Sequence, residues 1–178
     1  MTITTEATRS VPTGTWVLDS VHSTIGFELP YLSGTFRGHF KDVDAQLADE
    51  TLRGSARVAS VDVKDENLAA HLQGPDFFDA ERYPELTFES TEIERSGDRL
   101  TVRGEITLRG VTKPVELTGT ISDTITDGYG RERIGLQVET TVDRTAFGLN
   151  WNMPLPDGEP ALANDVKLVA ELYLVREA

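Results

Sequence analysis

The sequence contains no cysteine, which excludes disulfides, thiolate catalysis and cysteine metal sites. Histidine is nearly as scarce. His22, His39 and His71 fall on different expected elements and form no metal-binding motif, so no metal is expected. No stretch approaches the roughly 20 apolar residues of a membrane span, and stable membrane insertion is not expected. Positive charge is sparse: 17 Lys and Arg against 30 Asp and Glu leave a net charge of -13, with no local basic stripe. Such a surface repels nucleic-acid phosphates and anionic headgroups, so nucleic acid is not an expected partner. The opening MTITTEATRSVPTGTW lacks a basic region followed by an apolar run. It does not read as a secretory leader, and the expected location is cytoplasmic. No GxSxG elbow, phosphate-binding loop or dinucleotide fingerprint occurs, so no cofactor is expected.

What is present is alternation. Residues 1–14 are polar and aperiodic and read as a flexible tail; residues 15–178 read as one domain. Period-2 patterning then recurs almost to the end, as in half-buried strands. It predicts strands over Trp16–Leu29, Thr35–Leu47, Leu52–Val63 and Glu85–Ile93, then four more around Leu100–Arg109, Val115–Ile121, Ile134–Val142 and Val166–Leu174. A change of phase between Phe40 and Val43 suggests a β-bulge. Residues 65–73, DENLAAHLQ, predict one short helix between strands three and four, with Asp65 as its cap and Gly74-Pro75 as its stop.

Eight consecutive strands with mostly short turns favour an all-β, antiparallel, up-and-down barrel, which has no exposed edges. A two-sheet sandwich is the alternative. In such a barrel alternate connections share an end. Tight turns at 48–51, 95–98 and 127–130 fall at one end, and the long connections 64–84 and 143–164 at the other. The elaborated end therefore collects Phe77, Phe78, Phe147 and Trp151, with Arg109, Lys113 and Arg144 as the cations able to meet an anionic headgroup.

Four blocks carry a family likeness. WVLDSVHSTIGFEL, LQGPDFFDAERYPELTFES, GEITLRGVTKPVEL and DRTAFGLNW occur in the order found in the YceI-like family, which this chain resembles from about residue 15 onwards. The resemblance implies a lipocalin-like barrel that binds a polyisoprenoid, a quinone-type lipid or a fatty-acid derivative in a long apolar pocket. It departs from the family in the helix, where Ala69-Ala70 replaces an Arg-Asp pair before His71-Leu72.

The inward-facing set Ser23, Ile25, Phe27, Phe36, Phe40, Phe88, Val102, Ile106, Leu117, Leu136 and Leu168 reads either as solid core or as cavity lining; the resemblance favours lining. The expected function is non-catalytic binding of an isoprenoid or other long-chain lipid, a prenyl pyrophosphate or an isoprenoid quinone, for transport, storage or protection. Fatty-acid or fatty-amide binding in the same pocket is one alternative. An enzyme acting on an isoprenoid lipid through His22 and Asp19 is another, and a filled barrel whose outer surface binds a protein is a third. No catalytic constellation is legible: Ser23 and His22 are adjacent on a strand and point to opposite faces. A homodimer is compatible with the sequence.

Overall fold

Inward apolar residues alternate with outward charged ones, so each strand can bury one face only, and the sheet curls until its edges meet. In the computed structural model, which describes residues 11–177, the strand segments are β1 (Thr15–Leu18), β2 (Thr24–Tyr31), β3 (Gly34–Phe40), β4 (Val43–Ala48), β5 (Thr51–Arg57), β6 (Val61–Asp62), β7 (Glu85–Ser96), β8 (Arg99–Leu108), β9 (Val111–Ile121), β10 (Ile125–Thr126), β11 (Glu132–Asp143) and β12 (Asp165–Arg176). They make eight wall strands: β1 with β2, β3 with β4 and β5 with β6 each follow one course, β10 is a short edge on β11, and all pairings are antiparallel. β12 closes the barrel by pairing with β11 on one side and with both β1 and β2 on the other.

The first three wall strands are interrupted where the alternation alone predicts continuity. At residues 19–23 the Asp19 carboxylate accepts a hydrogen bond from Val21 N at 3.1 Å, a local turn that replaces ladder pairing. The phase change after Phe40 is a two-residue break at Lys41-Asp42, whose amides donate to the backbone and side chain of Ser60. The third strand breaks at a 3-10 turn, Val58–Ser60. A register shift between Ser90 and Glu92 places a bulge in β7 instead. There the buried Ser90 hydroxyl accepts from Leu52 N at 2.8 Å. Helix α1 (Glu66–Gln73) follows β6 rather than an unbroken third strand, and Asp65 caps it by accepting from Leu68 N.

The interior divides along the barrel axis. Near the tight turns, Trp16, Leu47, Leu52, Leu100, Val102, Ile121 and Leu174 are at most 2% exposed and pack as a solid plug. Val11 joins that plug and Thr13 O accepts from Trp16 Nε1, so residues 11–14 lie against the barrel. The rest of the expected tail, residues 1–10, lies outside the described residues. Near the long connections a second cluster contains Phe27, Phe40, Leu72, Phe77, Phe78, Phe147 and Leu149.

The outer wall is charged. Arg103 contacts Glu92, Glu94 and Glu116, and Lys167 contacts Glu28 and Glu139. A membrane-spanning barrel needs an apolar outer band, which these ladders oppose. Among the described residues no helix is long and apolar enough to cross a membrane.

Candidate functional site

The upper half of the barrel is hollow. A cavity of about 240 Å³ is walled by strand residues Phe27, Leu29, Phe36, Phe40, Leu86, Leu108, Val142, Val166 and Leu168, by Leu68, His71 and Leu72 of α1, and by the loop residues Phe77, Phe78, Leu149, Trp151 and Leu162. Tyr31 and Arg144 complete it. A second cavity of about 80 Å³ lies nearer the plug, lined by Ile25, Phe40, Leu52, Phe88, Ile106, Leu117, Val138, Leu168, Ala170 and Leu172 among others. Phe40, Leu86 and Leu168 line both cavities and form the neck between them.

Strand β12 gives the scale of this hollow. Val166 and Leu168 line the upper space, Leu168, Ala170 and Leu172 the lower, and Leu174 belongs to the plug. At about 3.3 Å per residue, the hollow runs about 20 Å along the strand. Its aromatic wall is a continuous group: Phe27 lies 6.1 Å from Phe36, 5.8 Å from Phe40 and 6.2 Å from Phe78, centroid to centroid. Gly38 makes room for it, because a Cβ there would meet Phe27 Cζ at 2.5 Å and Val63 Cγ1 at 2.8 Å.

The mouth is marked by half-exposed lining residues. His71 stacks edge-on against Phe77 and Trp151, with centroids 5.0 and 4.9 Å away, and its Nε2 lies 3.1 Å from the Asp76 carboxylate. Tyr31 is an exposed lining residue, and its backbone pairs with Leu162.

The cations expected at this end have three different fates. Arg109 donates through Nη1 to Phe77 O at 2.9 Å and Gly148 O at 3.0 Å, strapping the two long connections together. Lys113 sits opposite Ile106 on β9, exposed to solvent, and lines neither cavity. Arg144 is 4% exposed. It opens a 3-10 turn, Arg144–Phe147, held by Asp143, whose carboxylate accepts from Thr145 N and Thr145 Oγ1. Those two bonds hold the Asp143 carboxyl below the usual carboxylate range. Arg144 Nε donates to Ala163 O at 2.9 Å, and Nη1 donates to Leu149 O at 2.7 Å and Trp151 O at 2.8 Å. Its Nη2 is buried with no partner in the structure. Burial pushes the guanidinium below its ordinary pKa. Arg144 is therefore an inner wall of the cavity, not a cation at its mouth.

Of the remaining expected interior residues, Ser23, Val102 and Leu136 line neither cavity. Ser23 Oγ accepts from Tyr173 N at 2.9 Å beside the strand break, while Val102 and Leu136 belong to the plug cluster. Phe147 is 2% exposed and packs into the upper core behind the cavity wall. Sequence reasoning missed the strand residues Leu29, Tyr31, Leu86, Leu108, Val142 and Val166, Leu68, His71 and Leu72 on α1, and Leu149 and Leu162 on the last long connection. The 3.6-residue spacing of Leu68 and Leu72 marks one helix face, but no sequence signal says that this face roofs a barrel.

His22 lies outside this site. Its Nδ1 is 2.7 Å from Asp19 Oδ2, its side chain is 69% exposed, and neither residue lines either of these two cavities. His39 is exposed beside Asp62. Among the described residues, no group of three or more His, Asp or Glu side chains is placed to hold a metal ion.

Comparison with known proteins matches residues 16–174 to the YceI-like domain. A UPF0312 protein of Photorhabdus laumondii is 30% identical over 158 residues, covering 84% of this chain and 82% of that protein. The crystal structure of the Campylobacter jejuni YceI protein superposes with a TM-score of 0.72 at 26% identity, covering 90% of this chain and 97% of that one. A polyisoprenoid binding domain from Saccharophagus degradans, implicated in plant cell wall breakdown, shares the fold with a TM-score of 0.68 at 13% identity, covering 91% and 98%.

Proposed function

This chain belongs to the YceI-like family, and from that premise we propose that it binds a polyisoprenoid chain within the barrel, without chemical turnover, for transport, storage or protection of the cargo. One observation carries the reading: the barrel is packed solid at one end and hollow at the other, and the hollow is walled almost wholly by aliphatic and aromatic side chains. A cavity of that kind holds no water well and gains from any apolar chain that fills it. Each ligand methylene transferred there contributes roughly 0.8 kcal/mol, so a prenyl chain needs few polar contacts to bind firmly. The polyisoprenoid-binding neighbour of the same fold supports this cargo class. The two cavities are small beside pockets of roughly 300–1,000 Å³ for drug-sized ligands, so a long cargo must displace the neck of Phe40, Leu86 and Leu168.

The test is native mass spectrometry of the purified protein, followed by organic extraction and reloading with a defined polyprenyl lipid. A stoichiometric adduct that Leu168→Trp prevents, in a protein with unchanged circular dichroism, is the expected result. A barrel that takes up no prenyl lipid, or that loads equally with the neck filled, refutes the reading.

A further inference from the structure

The lining of the main cavity is apolar except at Tyr31, His71 and Arg144. Tyr31 and His71 stand at the mouth, where water reaches them. Arg144 does not: it is 4% exposed, and its charge is buried with the rest of the side chain. Guanidinium has five N–H donors. Three of them are taken by the carbonyls of Ala163, Leu149 and Trp151. Both donors of Nη2 are left over. A buried donor without an acceptor is costly, and a buried charge without a counter-charge more so. Among the described residues, no carboxylate forms an ion pair with Arg144. Its neighbour Asp143 turns its carboxylate to Thr145.

These facts concern one unsatisfied nitrogen of a guanidinium in the wall of an apolar chamber, with the Asp143 carboxylate near enough to act on its charge but bonded to Thr145 instead. We infer that Arg144 Nη2 is the anchor for a single carboxylate carried on the end of the apolar ligand. This rests on the barrel being a lipid site, and it specifies the polar end of the cargo. A carboxylate supplies one negative charge and strong oxygen acceptors, which matches one guanidinium nitrogen. A diphosphate supplies more charge and more oxygens than this wall can pair, since no second Arg or Lys lines the main cavity. Its surplus charge would be desolvated without a partner. A neutral carbonyl or alcohol accepts the hydrogen bond but brings no negative charge to the guanidinium, so its bond is the weaker one.

Four probes with one common chain separate these cases: farnesoic acid, methyl farnesoate, farnesol and farnesyl diphosphate, titrated into delipidated protein at fixed salt and neutral pH. The acid should bind about ten- to a hundredfold tighter than its methyl ester or the alcohol, as expected for a partly buried charge-assisted bond. It should also bind more tightly than the diphosphate. In Arg144→Met the advantage of the acid over the ester should disappear, whatever shift the ester itself shows. If that variant does not fold, because its three carbonyl bonds hold the last long connection, the wild-type series alone decides. An acid no tighter than the ester, or a diphosphate tighter than the acid, overturns the inference while leaving the lipid-binding reading in place. Failure of all four to bind defeats the lipid-binding reading itself, and this inference with it.

Discussion

Arg133 Nη1 donates to Asp19 Oδ2 at 2.8 Å, joining the break between β1 and β2 to the start of β11 across 114 positions of sequence. The same guanidinium reaches Asp127 through Nε at 2.6 Å. The Arg133 hydrogen bond, followed by that of His22, lowers the Asp19 pKa from 3.8 to about 2. Asp127 is also held far below the usual carboxylate range, chiefly by Arg133. Both folded values are depressed, so the stability they contribute is complete above about pH 4 and is lost as pH falls toward 2. Thermal unfolding across pH 2–6 should show a steep acid limb. Asp19→Asn should be less stable than wild type at pH 6 and should flatten that limb. Parallel limbs in the two proteins would mean that Asp19 does not report on folding.

Gly38→Ala places a methyl group against Phe27 and Val63. The Phe27 ring must then move into the main cavity. Overpacking of this kind costs about 1–3 kcal/mol, and prenyl-lipid uptake should fall in a protein that still folds. Denaturant titration and native mass spectrometry measure the two effects. Unchanged uptake would show that Phe27 has slack away from the cavity.

Arg109→Ala removes the two bonds that strap Phe77 to Gly148. Because the side chain is only partly buried, a loss of about 1–2 kcal/mol is expected. Amide exchange should quicken in 74–84 and 144–149 while the plug end remains protected. Uniform acceleration through the whole barrel would assign Arg109 a global role instead.

His22→Asn separates binding from the enzymatic alternative. The ring is on the outside of the barrel at the strand break and lines neither cavity. The variant should take up prenyl lipid to the same extent as the wild type and show only a small change in stability. Reproducible conversion of a prenyl substrate by the wild type, abolished in this variant, would reinstate catalysis.

The strand number, the helix and the contrast between the two ends were legible in the sequence because each depends on local periodicity and connection length. The break at 41–42 was legible as the change of phase between Phe40 and Val43, although it is a two-residue break and not a bulge; the break at 19–23 was not, because a local turn at Asp19 leaves no mark in the alternation. The hollow was only half legible. Ile25, Phe27 and Phe40 look the same in sequence as Val102 and Leu136, yet the first three line empty space and the other two fill the plug. Depth along the barrel separates them, and depth is a property of register between distant strands. The cations show the same limit. Arg109, Lys113 and Arg144 share a charge and an end, but Lys113 stays in solvent while Arg109 and Arg144 bind backbone carbonyls, which carry no residue-specific signal.

The plug around Trp16 and Leu174 makes the tunnel a cul-de-sac. A molecule inside has to back out past Trp151 and His71 before another can enter, so a competitor cannot push from behind. Exchange should then proceed at the occupant's own departure rate, indifferent to how concentrated the newcomer is, and the loaded protein would behave as a timer set by its cargo.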